Sequence, residues 1–74
     1  MSAQAAGEWT VDLVGRRVRH RCGAEAYFSR CRSEADWLQS DSVRCYNPYL
    51  FEEGQQEFAR KAKEVAIEAG MKAG

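Results

Sequence analysis

The sequence contains no run of apolar residues longer than four. This excludes an apolar transmembrane helix, which needs about 20 consecutive apolar residues. The first ten residues lack the charged region and the apolar core of a signal peptide, so we expect a cytoplasmic protein. Proline occurs once among the 74 residues, and no low-complexity segment is present. The composition is therefore typical of one small folded domain spanning residues 1–74.

Cysteine is also scarce, with three residues in the chain. An odd number excludes a fully paired disulfide framework, and three free thiols are the default in the cytosol. The cysteines and the single histidine could supply four soft ligands for zinc, namely His20, Cys22, Cys31 and Cys45. Their spacing, H-x-C-x8-C-x13-C, matches no paired-ligand zinc motif. We expect no metal and no other cofactor, with the zinc site as the alternative.

Catalytic motifs are missing from the sequence as well. There is no glycine-rich phosphate loop. His20 and Cys22 lie two positions apart on one predicted strand and point to the same face. Nothing there orients the imidazole to act as a general base toward the thiol. The acidic pair Glu52 and Glu53 fits the first turn of a helix, where carboxylates complement the helix dipole. A chain this short buries only about 60% of its unfolded surface, which leaves little room for a deep pocket. We therefore expect no enzymatic activity.

A clear alternation of apolar and polar residues flanks Gly15. The inward positions are Trp9, Val11, Leu13, Val18, His20 and Cys22. This period of two predicts two antiparallel strands, and a slip of one residue would bury three arginines. A two-residue turn at Gly15 and Arg16, with Gly15 at the positive φ of a type II′ turn, would complete the hairpin. The strands would then pair Leu13 with Val18.

The middle of the chain predicts two shorter elements. Residues 26–32 suit a third strand, and they also fit a short helix. Ser33 is followed by two acidic residues, a pattern typical of a helix N-cap and first turn. We therefore predict a short helix over residues 34–39, with Trp37 and Leu38 turned inward.

The last third of the chain predicts an edge strand over residues 42–46 and then a long helix that starts at Pro48. Apolar residues recur there at helical intervals, at Phe51, Phe58, Ala62, Val65 and Ala69. The predicted fold class is α+β, with an N-terminal antiparallel hairpin or three-stranded sheet, a short helix, and a longer amphipathic helix packed on the sheet. Residues 1–7 and 70–74 are expected to fray.

Charge is sorted along the chain although its formal net charge is zero. Residues 16–32 contain six arginines and one acid, a net charge of +5, whereas residues 33–57 contain six acids and one arginine, a net charge of −5. The predicted contact residues are Arg16, Arg17, Arg19 and Arg21, with Glu52 and Glu53 as a second patch. Such sorting suits docking to a charged partner, and it equally suits packing of the acidic segment near the arginines.

Arginines on alternate strand positions lie about 6.5–7 Å apart, close to the phosphate spacing of a nucleic acid. Against nucleic-acid binding, eleven acidic residues balance eleven basic ones, whereas a dedicated nucleic-acid-binding domain is usually strongly basic. We therefore expect a protein partner and no membrane association. A small nucleic-acid-binding module with an arginine-lined strand, with or without zinc, is the alternative.

The layout of hairpin, short helix and further strand, with the arginine strip RRVRHR at residues 16–21, resembles the small bacteriophage-encoded regulators that bind host RNA polymerase. Those proteins inhibit initiation or alter termination. The resemblance implies a non-enzymatic regulator of transcription, with RNA polymerase as its protein partner.

Overall fold

Five antiparallel strands form one sheet, and the helices pack on one of its faces. The computed structural model describes residues 3–40 and 43–74, with the backbone alone for residues 3–6. The elements are β1 (Ala3–Ala6), β2 (Trp9–Asp12), β3 (Arg17–His20), β4 (Glu25–Phe28), α1 (Glu34–Gln39), β5 (Val43–Tyr46), a 3₁₀ helix (Pro48–Leu50) and α2 (Gln55–Glu68). The strands are ordered β1-β2-β3-β4-β5.

The α+β fold class is confirmed, but the sheet is larger than the predicted three strands. β1 adds a strand at one edge, β5 adds one at the other, and β2 to β5 have described side chains. The predicted third strand over residues 26–32 is present as the shorter β4. The edge strand predicted over residues 42–46 is present as β5, while residue 42 lies outside the described residues.

The hairpin of β2 and β3 has the predicted faces but a different register. Val11 pairs with Val18, whereas the sequence predicted Leu13 for this position. The connection has four residues, 13–16, because the Asp12 carboxylate accepts a hydrogen bond from the Gly15 N–H at 3.0 Å. A register shift of two residues leaves every side chain of β2 and β3 on its predicted face.

The positive φ of this loop lies at Arg16, at 53°, and not at Gly15 as predicted. Gly15 instead lies against the Asp12 side chain. A Cβ atom at this position would lie 2.7 Å from an Asp12 carboxylate oxygen, so a side chain here would displace that carboxylate.

The core lies between the inner face of the sheet and α2. Its fully buried members include Val11, Val18, Ala26, Phe58, Ala62 and Ala66. The rings of Trp9 and Phe58 stack with their centroids 5.7 Å apart. The predicted apolar stripe is thus confirmed at Phe58 and Ala62, while Val65 and Ala69 are partly buried at its margin.

The predicted helix from Pro48 is interrupted. The 3₁₀ helix ends at Leu50, and α2 starts only after Gly54, whose φ of 103° is incompatible with a continuous helix. Phe51, predicted as the first residue of the stripe, lies between the two helices and is nevertheless buried.

The short helix α1 is confirmed together with its cap. The Ser33 hydroxyl accepts a hydrogen bond from the Asp36 N–H at 3.1 Å. Trp37 is buried and packs edge-on against Phe28, with ring centroids 5.6 Å apart. Leu38 was predicted to point inward, but it is 59% exposed. The helix α1 has six residues, fewer than two turns, and Trp37 is the residue that it buries.

The C-terminal residues 70–74 were predicted to fray, but they pack against the rest of the domain. Met71 and Ala73 are buried. The Met71 carbonyl accepts a hydrogen bond from the Trp37 indole N–H at 3.0 Å, and the Ala73 carbonyl accepts one from the Cys31 N–H at 2.7 Å. At the other end, residues 3–6 form β1, while residues 1–2 lie outside the described part.

Arg16 was predicted as a contact residue, but the residue is buried, only 8% exposed, and so does not share a surface with the other predicted contact arginines. Its guanidinium donates hydrogen bonds to three backbone carbonyls, those of Phe28 at 3.1 Å, Ser29 at 3.1 Å and Lys72 at 2.6 Å. It also lies 5.0 Å from the centre of a Trp37 ring. Arg16 ends the hairpin loop and is not part of a strand, so strand alternation does not place it with its arginine neighbours.

Neither α-helix of the described chain is long and apolar enough to cross a membrane.

Replacing Phe58 with alanine tests the packing of α2 on the sheet. Phe58 is fully buried, so Phe58→Ala is expected to lower the free energy of unfolding by about 3–5 kcal/mol. Urea denaturation followed by circular dichroism measures this change. The control is Ile67→Ala on the exposed side of the same helix, with an expected change of less than about 1 kcal/mol. Equal effects of the two variants would contradict the packing.

Replacing Arg16 with lysine tests the three-carbonyl contact. Lysine keeps the charge, but its compact ammonium cannot reproduce the planar fork that reaches three carbonyls. Hydrogen bonds to a charged group contribute roughly 1.5–3 kcal/mol each, so we expect Arg16→Lys to lower the unfolding free energy by at least about 2 kcal/mol. The matched variant Arg19→Lys, at an exposed position, is expected to change it by less than about 1 kcal/mol. A loss no larger at Arg16 than at Arg19 would show that the contact contributes nothing.

Candidate interaction surface on the open face of the sheet

Two rows of side chains cross the face of the sheet that the helices leave uncovered, here called the outer face. The first row is Asp12, Arg17, Tyr27 and Arg44, and the second is Thr10, Arg19, Glu25 and Tyr46. Each row takes one residue from each of β2, β3, β4 and β5. Because side chains alternate along each strand, the residues between these positions point into the core.

Charges of both signs are interleaved on the outer face. Arg17 lies 3.8 Å from the Asp12 carboxylate and 3.9 Å from that of Glu25. Arg19 lies 3.6 Å from the Glu25 carboxylate, and half of its side chain is exposed. Among the described residues, Arg44 has no carboxylate within ion-pair distance. The outer face is thus slightly basic, with three arginines and two carboxylates.

Two tyrosines occupy the middle and the edge of the same face. The rings of Tyr27 and Tyr46 meet edge to face, with centroids 5.4 Å apart. The Tyr27 hydroxyl donates to the Glu25 carboxylate at 3.2 Å. The guanidinium of Arg17 lies 6.0 Å from the centre of the Tyr27 ring. The pKa of Arg17 is raised, chiefly by its contact with Tyr27 and to a smaller extent by the carboxylates of Glu25 and Asp12. The tyrosines and arginines therefore form one connected cluster.

Two of the predicted contact residues, Arg17 and Arg19, lie together on the outer face. Arg21 lies beyond the end of β3, is largely exposed, and pairs with the Glu8 carboxylate at 2.9 Å. Arg44 and Tyr46 also lie on the outer face, although the sequence did not predict them as site residues. Their alternation with apolar residues in the predicted strand 42–46 was the signal that could have found them.

The second predicted patch, Glu52 and Glu53, lies on the helix side of the sheet. Both residues line a groove of about 450 Å³ together with His20 and Arg21. The Glu53 carboxylate pairs with the Lys61 ammonium at 2.7 Å. The acidic patch and the outer face are therefore separate surfaces.

The alternative zinc ligands are not brought together by the fold. His20 is largely buried between the rings of Trp9 and Phe51, with centroid distances of 4.7 and 5.0 Å. Its Nδ1 accepts the Cys22 N–H at 3.2 Å, and its Nε2 lies 3.3 Å from a Glu8 oxygen. Within residues 3–40 and 43–74, no group of three or more histidine, cysteine, aspartate or glutamate side chains could hold a metal ion.

The three cysteines are free thiols, and each is partly buried. Burial raises the pKa of the Cys45 thiol, which disfavours its reactive thiolate form. Cys45 faces the helix layer from β5, at a position paired with the buried Ala26. These surroundings are those of a packing residue.

Comparison of the chain with protein-family models, with curated proteins and with solved structures found no match in any of the three.

Metal removal tests the zinc alternative directly. Because both ring nitrogens of His20 already have partners within the protein, we expect no zinc in elemental analysis of the purified protein. We also expect the same thermal unfolding midpoint before and after treatment with a chelator, since a structural zinc site would make folding depend on the metal. One equivalent of tightly held zinc, lost together with the fold on chelation, would contradict this.

Proposed function

We propose that this chain is a non-enzymatic regulator that binds a protein partner through the outer face of its sheet. The observation that carries the proposal is the composition of that face. It is uncovered, and it presents arginine and tyrosine side chains around two carboxylates.

These residue types favour a protein partner. Tyrosine and arginine are enriched among the few residues that contribute most of the binding energy at protein interfaces. The ring pair of Tyr27 and Tyr46 offers apolar contact area at small cost in conformational entropy, because a tyrosine side chain has only two rotatable angles. Interleaved charges favour one register of a complementary surface over others.

The resemblance to phage-encoded regulators makes RNA polymerase the first partner to test. A matching surface would place carboxylates opposite Arg19 and Arg44, and a donor or cation opposite Glu25. In this proposal the chain alters transcription by occupying that surface and carries out no chemistry of its own.

Nucleic-acid binding is the second candidate, and one observation favours it. Single-stranded nucleic acids are bound by sheets whose aromatic side chains stack on bases while arginines contact phosphates, and the outer face carries both residue types. Against it, Arg17 and Arg19 already lie near carboxylates, and Asp12 and Glu25 would repel a phosphate backbone. The protein partner therefore ranks first.

The experiment is a pull-down from host lysate, with either the wild type or the double variant Arg17→Ala, Arg19→Ala as bait. The amount of RNA polymerase captured is measured. Both side chains make only partly exposed ion pairs, so the variant should fold, losing less than about 1 kcal/mol per pair. Its affinity for the partner is expected to fall at least about tenfold, as for loss of interface hot spots. The control is Arg60→Ala, Lys61→Ala on α2, which removes two ion-paired cations from the opposite side of the domain.

A folded double variant that captures the same proteins with the same affinity as the wild type would contradict the proposal. Fluorescence anisotropy with a single-stranded oligonucleotide separates the two candidates. Phosphate binding by Arg17 and Arg19 would give a log–log salt slope of about −1.4, from about −0.7 per contact on single strands. Micromolar binding at physiological salt with that slope, lost in the double variant, would favour the nucleic-acid function.

A further inference from the structure

β5 is an edge strand whose outer side meets no other strand in the described part of the chain. It pairs with β4 over four consecutive residue pairs, from Val43 with Phe28 to Tyr46 with Glu25, without a bulge. An unpaired edge offers backbone N–H and C=O groups to another strand, and a proline, a bulge, an inward charge, an edge charge or a very short strand weakens this. β5 has no proline, bulge or inward charge over its four residues, and its one charged side chain, Arg44, points to the outer face.

Exposed apolar side chains concentrate around this strand in the sequence. Six large apolar residues are substantially exposed in the described chain; Tyr46 lies in β5, and Tyr49 and Leu50 lie in the 3₁₀ helix that follows it. The formal net charge of the chain is zero, so two copies do not repel each other through their overall charge. Both features favour self-association at this edge.

The geometry of an antiparallel pair limits how two copies of β5 can meet. In an antiparallel pair, directly opposite residues point to the same face of the sheet. The two-fold axis that relates the two copies must therefore pass between two copies of the same residue. In the middle of β5 this residue is Arg44 or Cys45. Centring on Arg44 would place two arginines opposite each other, which is unfavourable. Centring on Cys45 places Arg44 opposite Tyr46 of the second copy.

The Cys45-centred register also continues the existing pattern of the sheet. In the first row of the outer face, Arg17 is paired with Tyr27 and Tyr27 with Arg44. A tyrosine from the second copy would follow Arg44 in that row. Arginine and aromatic side chains attract each other through the ring face, so each added pair is favourable.

We propose that two copies of this chain form a dimer by antiparallel pairing of their β5 strands in the register centred on Cys45, which joins the two sheets into one. The two outer faces would then lie on the same side of the joined sheet. This dimer does not depend on the proposed function, since the two copies join through backbone groups of the β5 edge, although Arg44 and Tyr46 also belong to the outer face.

Sedimentation equilibrium tests the dimer. The wild type is expected to show a concentration-dependent mass that rises from the 8.4 kDa of the chain toward twice that value. Tyr46→Arg places like charges opposite Arg44 twice in the dimer, and we expect its dissociation constant to rise about tenfold. The matched control Tyr49→Arg makes the same substitution outside the strand and should leave the constant unchanged. Adding Arg44→Glu to Tyr46→Arg should restore the dimer, because each glutamate then faces an arginine.

Cysteine cross-linking tests the register. Directly opposite residues have Cβ atoms about 4.5–5.5 Å apart, close enough for a disulfide after a small adjustment. Because burial raises the pKa of Cys45, oxidation is carried out at alkaline pH. Two copper(II) phenanthroline complexes take one electron each from the pair of thiols, whose two protons pass to the buffer as the S–S bond forms. A covalent dimer is expected that Cys45→Ser abolishes and that Cys22→Ser and Cys31→Ser retain.

A single monomeric mass at concentrations up to about 1 mM would overturn the dimer. A dimer with a dissociation constant of about 1 mM, or about 4.1 kcal/mol of binding free energy, would be half formed at that concentration. Equal weakening by Tyr46→Arg and Tyr49→Arg, or a covalent dimer that persists in Cys45→Ser, would overturn the β5 register.

Discussion

The helix side of this domain is held together at the buried guanidinium of Arg16. A buried charge is tolerated when hydrogen bonds replace its lost hydration, and Arg16 meets this condition through the carbonyls of Phe28, Ser29 and Lys72. These acceptors lie at the end of β4, just beyond it, and near the C-terminus. The Trp37 ring of α1 packs against the same group. One side chain thus joins the hairpin loop, the short helix and the C-terminal segment, which are far apart in sequence.

This arrangement separates the arginines into two classes. Arg16 is used internally, and its contacts help to hold α1 and the C-terminal residues on the inner face. Arg17, Arg19 and Arg44 lie on the outer face, which the helices do not cover. Because the helices pack on one face of the sheet only, the other face stays uncovered. The proposed function uses that uncovered face, and the proposed dimer forms at the edge of β5.

The sequence allowed the two faces of the hairpin to be predicted because period-two alternation survives a register shift of two residues. It did not allow the loop length to be predicted, since that depends on a side-chain hydrogen bond from Gly15 to Asp12. The helix cap at Ser33 is a local pattern and was predicted. The burial of Arg16 and of the C-terminal residues depends on partners many positions away, and no local pattern shows such contacts. Arg44 and Tyr46 were missed as site residues because only the assembled sheet aligns them with Arg17 and Tyr27.

Arg16 is a structural residue, whereas the neighbouring arginines face solvent. Hydrogen exchange of the arginine Nε–H groups, measured by ¹H–¹⁵N NMR, tests this difference most directly, because exchange is slow only where a group is buried and hydrogen-bonded. The Arg16 Nε–H, which donates to the Phe28 carbonyl, is expected to exchange much more slowly than those of Arg19 and Arg44. Exchange at Arg16 as fast as at Arg19 would contradict it.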